Sequence, residues 1–151
     1  MKLIISTIVA GIVLFILGWV FYGMLFMDYF STHYAKMQRS PEDMKMWAIA
    51  LSCLLQGFFL SFIYPRMYKS GSPVGNGLKY GIIIGLFMSL PYMFSSWATM
   101  PITYRVVIVD AAILFVMIFI ACIAVALVYG RREPEKIVLK ESPGVTAKAT
   151  T

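Results

Sequence analysis

The sequence predicts an all-α protein: a four-helix transmembrane bundle over residues 1–129, followed by a flexible polar C-terminal tail at 130–151. Three observations predict it. Four apolar runs, Leu3 to Met27, Met46 to Tyr64, Leu78 to Ala98 and Val106 to Tyr129, are each about 19 to 25 residues long. A helix rising about 1.5 Å per residue needs about 20 residues to cross a hydrocarbon core of about 30 Å. Hydrophobic residues make up 60% of the chain and charged residues only 13%, against about 25% charged in an ordinary soluble domain. The third observation is placement: despite a net charge of +6, the basic residues sit in the connections beside the runs, the pattern of membrane topology rather than of a nucleic-acid groove.

The first run follows Lys2, a minimal positive start. Its length exceeds the 7 to 15 residues or so of a signal-peptide core, and no small-x-small cleavage site follows, so it reads as a retained signal anchor. Asp28 to Lys45 then reads as an external loop. After the second run, Pro65 to Gly77 contains Gly71-Ser72-Pro73 and Gly75-Asn76-Gly77 and reads as a turn. The third run contains Pro91, which removes a backbone donor and predicts a kink near Phe87 to Pro91. Thr99 to Arg105, with Pro101, is a short external turn before the fourth run. From Gly130 onward the chain is polar, holds Pro134 and Pro143, and cannot bury a core.

Four spans place both ends on one side. That side carries Lys2, Arg66, Lys69, Lys79, Arg131, Arg132, Lys136, Lys140 and Lys148; the other carries Lys36, Arg39, Lys45 and Arg105. An excess of lysine and arginine marks the cytoplasmic face, so both termini are expected there. Cys53 and Cys122 fall inside spans at depths of about 12 and 25 Å from one surface, too far apart for a disulfide.

Helices in lipid meet where small residues let backbones approach. Gly77, Gly81, Gly85 and Ser89 recur every four residues on the third span, and Gly57 and Ser61 continue a similar ridge on the second. Packing within the bundle is the plainer reading of these grooves; an oligomer or partner interface is the sharper one. The first and third spans also share an offset, Gly11-Ile12 to Tyr22 and Gly81-Ile82 to Tyr92. In sequence this apolar, that match does not establish a repeat.

The candidate polar site comprises Asp110, Arg105, Asp28 and Gln56. Asp110 lies a few residues inside the fourth span, where a carboxylate is costly and faces protein or water. Arg105 is a candidate partner, although five residues is not a favoured helical pairing. Tyr22, Tyr92, Ser95 and Trp97 fall at similar depth as potential donors. Asp110 reads either as a structural hydrogen-bond anchor or as a solute, ion or proton site. Gln56 is expected to hydrogen-bond across helices.

His33 and several methionines, including Met37, Met44 and Met46, fall toward the external face. Thioethers bind Cu(I), yet methionine recurs throughout the chain and packing accounts for it. Trp47, Trp97, Tyr29, Tyr34 and Tyr104 suit an outer aromatic belt, and Tyr64, Tyr68, Tyr80 and Tyr129 an inner one.

One histidine cannot supply two axial haem ligands. No Cys-x-x-Cys, phosphate loop or dinucleotide fingerprint occurs. The first span lacks a buried glutamate of the small multidrug exporter type, and no nucleophile–base pair can be named. No cofactor, metal or enzymatic activity is expected.

The end of the first span, Phe21-Tyr22-Gly23-Met24-Leu25-Phe26, resembles an aromatic-Tyr-Gly-x-Leu-Phe element in a family of small bacterial four-span membrane proteins of unknown function. Members often carry Trp directly before the Tyr; here Phe21 stands there and the tryptophan is Trp19. The likeness runs loosely over residues 3 to 129. It implies a bacterial inner-membrane location and brings no activity with it.

The expected function is therefore a non-catalytic membrane protein, an accessory or structural subunit of a membrane assembly or a homo-oligomer. Its partners would be the lipid bilayer and another membrane protein or itself, with no nucleic acid. The alternative is a small transporter or channel component using a site near Asp110. Co-purification and a polar cavity, respectively, would discriminate the two.

Overall fold

The structure is a computed structural model that describes residues 1–34, 43–68 and 71–130. Its order is α1 (Lys2–Val20), a π-turn (Phe21–Leu25), α2 (Met27–Tyr34), α3 (Met46–Met67), α4 (Pro73–Thr99) and α5 (Tyr104–Tyr129). No strand occurs among the described residues. The all-α bundle holds, and four helical segments are long and apolar enough to cross a membrane: Lys2–Leu25, Met46–Met67, Pro73–Thr99 and Tyr104–Tyr129. The expected flexible tail, from residue 131 onward, lies outside the described residues, as does most of the connection between α2 and α3.

Three boundaries differ from the sequence reading. Residues 27–34 form a helix rather than a loop. α3 runs through Pro65 to Met67, because the missing proline donor falls in the last turn, where one lost bond does not stop the helix. α4 begins at Pro73, so Gly75-Asn76-Gly77 are helical. Ser72 is its N-cap, its Oγ accepting from the Gly75 N–H at 3.1 Å, and Pro73 occupies the first turn, where it needs no donor. What reads as a turn cluster is a helix start. Pro91 lies inside α4 without ending it.

α5 is the central helix: 44% of its apolar window is buried, against 17 to 22% for the other three. α1 packs antiparallel on α3 and on α5, and α4 packs antiparallel on α5. α3 and α4 meet near the turn joining them, where Tyr64 and Tyr80 touch with ring centroids 5.3 Å apart.

The small residues set these crossings. A Cβ on Gly57 would stand 2.7 Å from the Thr7 carbonyl oxygen and 2.8 Å from the Gly11 nitrogen, so α1 and α3 touch backbone to backbone. On α4, Gly77, Gly81 and Gly85 lie against Ala126, Phe119 and Phe115 of α5 respectively. Ser89 is buried on the same helix, and the buried Ser61 donates to Ser6 Oγ of α1 at 2.9 Å. The glycine–serine grooves are therefore filled within one chain. Outward, the helices present an apolar surface such as Ile8, Ile12 and Ile16 on α1 and Phe59 on α3, each about half exposed.

Candidate functional site

The most concentrated polar arrangement surrounds Asp110. α5 starts at Tyr104 after the Thr103 N-cap, which sets Asp110 about 9 Å along its axis. Its side chain is 5% exposed. Three tyrosine hydroxyls from three other elements donate to it. Tyr22 of the π-turn donates to Oδ1 at 2.5 Å. Tyr92 of α4 donates to Oδ2 at 2.7 Å, and Tyr34 of α2 to the same oxygen at 3.2 Å.

Local backbone makes this convergence. In the π-turn the Phe26 N–H donates to the Phe21 carbonyl at 2.9 Å, five residues back rather than four. Phe26 itself leaves helical geometry, at φ −118° and ψ 16°. Were the helix straight, Tyr34 would lie about 18 Å farther along the axis than Tyr22. Both hydroxyls reach one carboxylate, so α2 folds back over the end of the bundle. α2 is amphipathic: Phe30 and Tyr34, four residues apart, are buried, while Asp28, Ser31, Thr32 and His33 are exposed. Phe30 packs on Tyr22 and Tyr34, with centroids 5.2 and 5.6 Å away.

A buried carboxylate without compensation is expensive, and an ionised one only accepts hydrogen bonds. Three O–H donors replace the water that Asp110 has lost, and bonds to a charged acceptor are the stronger kind. Burial, and then the nearby Asp110 charge, push the Tyr34 phenol well above its ordinary value, so it stays a donor. Among the described residues no ion pair joins Asp110 to Arg105, which is exposed.

Of the four polar candidates, only Asp110 enters this cluster. Asp28 is exposed, its backbone carbonyl receiving the Ser31 and Thr32 hydroxyls at 3.0 and 2.8 Å. Gln56 is half-buried and, among the described residues, makes no hydrogen bond across helices. It lies one position off the Gly57, Ser61 and Tyr64 face that turns inward. Trp97 pairs with Tyr104 instead of Asp110, centroids 5.7 Å apart.

The aromatic belts need correction. Tyr64, Tyr80 and Tyr129 are at most 4% exposed, and Tyr34 7%; all four point into the bundle rather than to headgroups. At the end opposite Asp110, Tyr64 packs on Tyr80 and Tyr129, with Tyr68 against both Tyr64 and Tyr80. Tyr80 donates to the Leu60 carbonyl and Tyr129 to the Ser61 carbonyl, each at 2.8 Å. Lys2 Nζ donates to the Tyr129 carbonyl at 3.0 Å, tying α1 to the end of α5. Trp47, Trp97 and Tyr104 do face outward.

Tyr34 was hidden in an apparent loop; the spacing of Phe30 and Tyr34 was the available signal. Tyr22 and Tyr92, which share the Gly-Ile offset, converge on one carboxylate. Cys53 and Cys122 are both free thiols. Among the described residues no group of three His, Cys, Asp or Glu side chains is placed to hold a metal ion.

No family model matches the chain, and no curated protein or solved structure matches it either.

Proposed function

We propose that this is a non-catalytic integral membrane protein, an accessory or structural unit of a membrane assembly or a homo-oligomer, in which Asp110 is the anchor that closes one end of the bundle. The observation that carries this reading is the convergence of Tyr22, Tyr34 and Tyr92 on one buried carboxylate. All three donors come from the chain itself and draw the π-turn, α2 and α4 onto α5. The glycine grooves are spent on packing within the chain, so the faces left for a partner are the outward apolar ones. The charge distribution supports both termini lying in the cytoplasm, and the resemblance of the Phe21–Phe26 element to the small four-span family supports a bacterial inner-membrane location.

Light scattering and thermal unfolding in mild detergent test this reading. An assembly larger than one chain is expected, and Asp110→Asn should lower its melting temperature. A solubilised protein that ran only as a lone monomer would remove the basis for the assembly role.

The second reading is a transport or channel component using Asp110. An ionisable group buried within an apolar span favours it. An Asp110→Asn protein that kept its melting temperature but lost proton or cation flux in liposomes would replace the first reading with this one.

A further inference from the structure

We propose that two copies of this chain pair side by side through α3, along a seam of Ile49, Ser52, Gln56, Phe59 and Ile63, with Gln56 of each copy hydrogen-bonded to the partner's Gln56 near the middle of the membrane. The proposal rests on the homo-oligomer arm of the function proposed above and names the contact that makes it.

The need for a partner lies in the amide. Gln56 is the eleventh of the 22 residues of α3, which puts it near the centre of the span. Among the described residues it makes no hydrogen bond, and neither does the Ser52 hydroxyl one turn earlier. Neither group is sealed inside the bundle: among the described residues, Thr7 Oγ1 is the one buried side-chain oxygen or nitrogen without a partner. A serine can turn to a carbonyl of its own helix. A glutamine amide, with two N–H donors and a carbonyl, is harder to satisfy. Lipid tails offer it nothing, so at this depth its bonds come from protein.

The seam follows from spacing. Ile49, Ser52, Gln56, Phe59 and Ile63 succeed one another at intervals of three, four, three and four residues. That is the heptad interval that holds one stripe of a helix against a parallel neighbour. The stripe is open: Ile49 is 43% and Phe59 57% exposed, Ser52 is exposed, and Gln56 and Ile63 are half-buried. It runs beside the Gly57 face that α1 covers, so α3 serves both contacts. α4 meets α3 only at the turn end, through Tyr64 and Tyr80, and leaves the stripe uncovered. Ile49 and Ile63 fall at equivalent heptad positions with Gln56 midway between them. One polar residue so placed in a two-stranded parallel coil fixes its register.

Symmetry identifies the occupant as a second copy. Two chains inserted the same way are related by a two-fold axis along the membrane normal, and a residue on that axis meets its own counterpart at its own depth. An amide both donates and accepts, so each Gln56 gives one bond to the partner's Gln56 and receives one in return. On the other side of α3, Leu55, Phe58 and Phe62 are exposed and apolar, and lipid suffices for them.

Energy transfer between donor-labelled and acceptor-labelled full-length chains tests this, read over a dilution series in vesicles of phosphatidylethanolamine and phosphatidylglycerol. Wild type should associate, and Gln56→Leu should weaken that association by about tenfold or more. The melting temperature of the single chain should not fall in Gln56→Leu, because the amide holds nothing in its own bundle. Oxidation should join Ser52→Cys chains covalently in pairs, and should not join wild type or Phe58→Cys. Equal association of Gln56→Leu and wild type would overturn the contact and leave a homo-oligomer built elsewhere. So would a Ser52→Cys chain that stays unjoined while wild type associates. A wild type that shows no transfer at any dilution would remove the contact and the homo-oligomer arm together. Should Gln56→Leu fail to fold, the oxidation of Ser52→Cys decides alone.

Discussion

Pro65 and Tyr129 complete one another. Proline has no N–H, so the Ser61 carbonyl four residues earlier loses its helical donor. The Tyr129 hydroxyl of α5 donates to that carbonyl at 2.8 Å. A helix-breaking residue in α3 thereby becomes a point of attachment to the central helix. Tyr129→Phe keeps the ring and removes the donor, leaving a buried carbonyl short of a partner. It should destabilise the bundle by about 1 to 3 kcal/mol, read as a lower melting temperature in detergent. The same substitution with alanine at Pro65, which restores an N–H, should cost less than Tyr129→Phe alone.

The Asp110 cluster is open to a double-mutant cycle. Tyr92→Phe removes the donor of the 2.7 Å bond and Asp110→Ala removes its acceptor. Hydrogen bonds to charged groups contribute about 1.5 to 3 kcal/mol, so a coupling energy in that range is expected. Additive losses would mean that Tyr92 contributes ring packing and not its hydroxyl.

Glycine substitutions should rank by what the new methyl meets. Gly57→Ala drives a Cβ to 2.7 Å from a carbonyl oxygen of α1, which a side-chain rotation cannot relieve. Gly85→Ala meets Phe115 ring carbons at 2.8 and 2.9 Å, and a ring can shift. Gly18→Ala meets only the end of Met117 at 3.4 Å. Overpacking costs about 1 to 3 kcal/mol, so melting temperatures should fall most for Gly57→Ala, less for Gly85→Ala and least for Gly18→Ala. Gly85→Leu, which adds far more volume between α4 and α5, should disrupt the fold itself.

Alkaline pH should loosen α2. Burial first, and Asp110 second, raise the Tyr34 phenol above its ordinary value near 10. A raised value in the folded state means that its contribution is fully present below about pH 10 and is lost as pH climbs through the folded value. Absorbance titration of the phenolates should therefore lose one of its late-ionising tyrosines in Tyr34→Phe. Ionisation of Tyr34 should coincide with loss of hydrogen-exchange protection in α2.

The spans were legible because length and hydropathy are properties of a stretch and need no partner. The inward faces of α4 and α5 were harder, since both helices are apolar around their whole circumference and composition does not say which side meets protein. Small residues partly did. Gly77, Gly81 and Gly85 were readable as a packing stripe, though not as one filled by Phe115 and Phe119.

The tyrosines were misassigned for the same reason. A tyrosine near a span end suits a headgroup as well as a core, and position alone does not separate the two. Phase does. Tyr64, Tyr80 and Tyr129 each follow a buried small residue by three positions: Ser61, Gly77 and Ala126. That spacing turns them toward the same side. The π-turn left no such trace, because it redirects the chain through backbone hydrogen bonding that apolar residues of many kinds accommodate.

The central place of α5 bears on how the protein is made. It is the last of the four spans to leave the ribosome, yet α1 and α4 both lean on it. Until it inserts, the earlier helices wait in the lipid with Tyr22, Tyr34 and Tyr92 lacking their shared acceptor. Asp110 enters near the front of that last helix, so the carboxylate that draws the other elements together is delivered only when they are already in the bilayer.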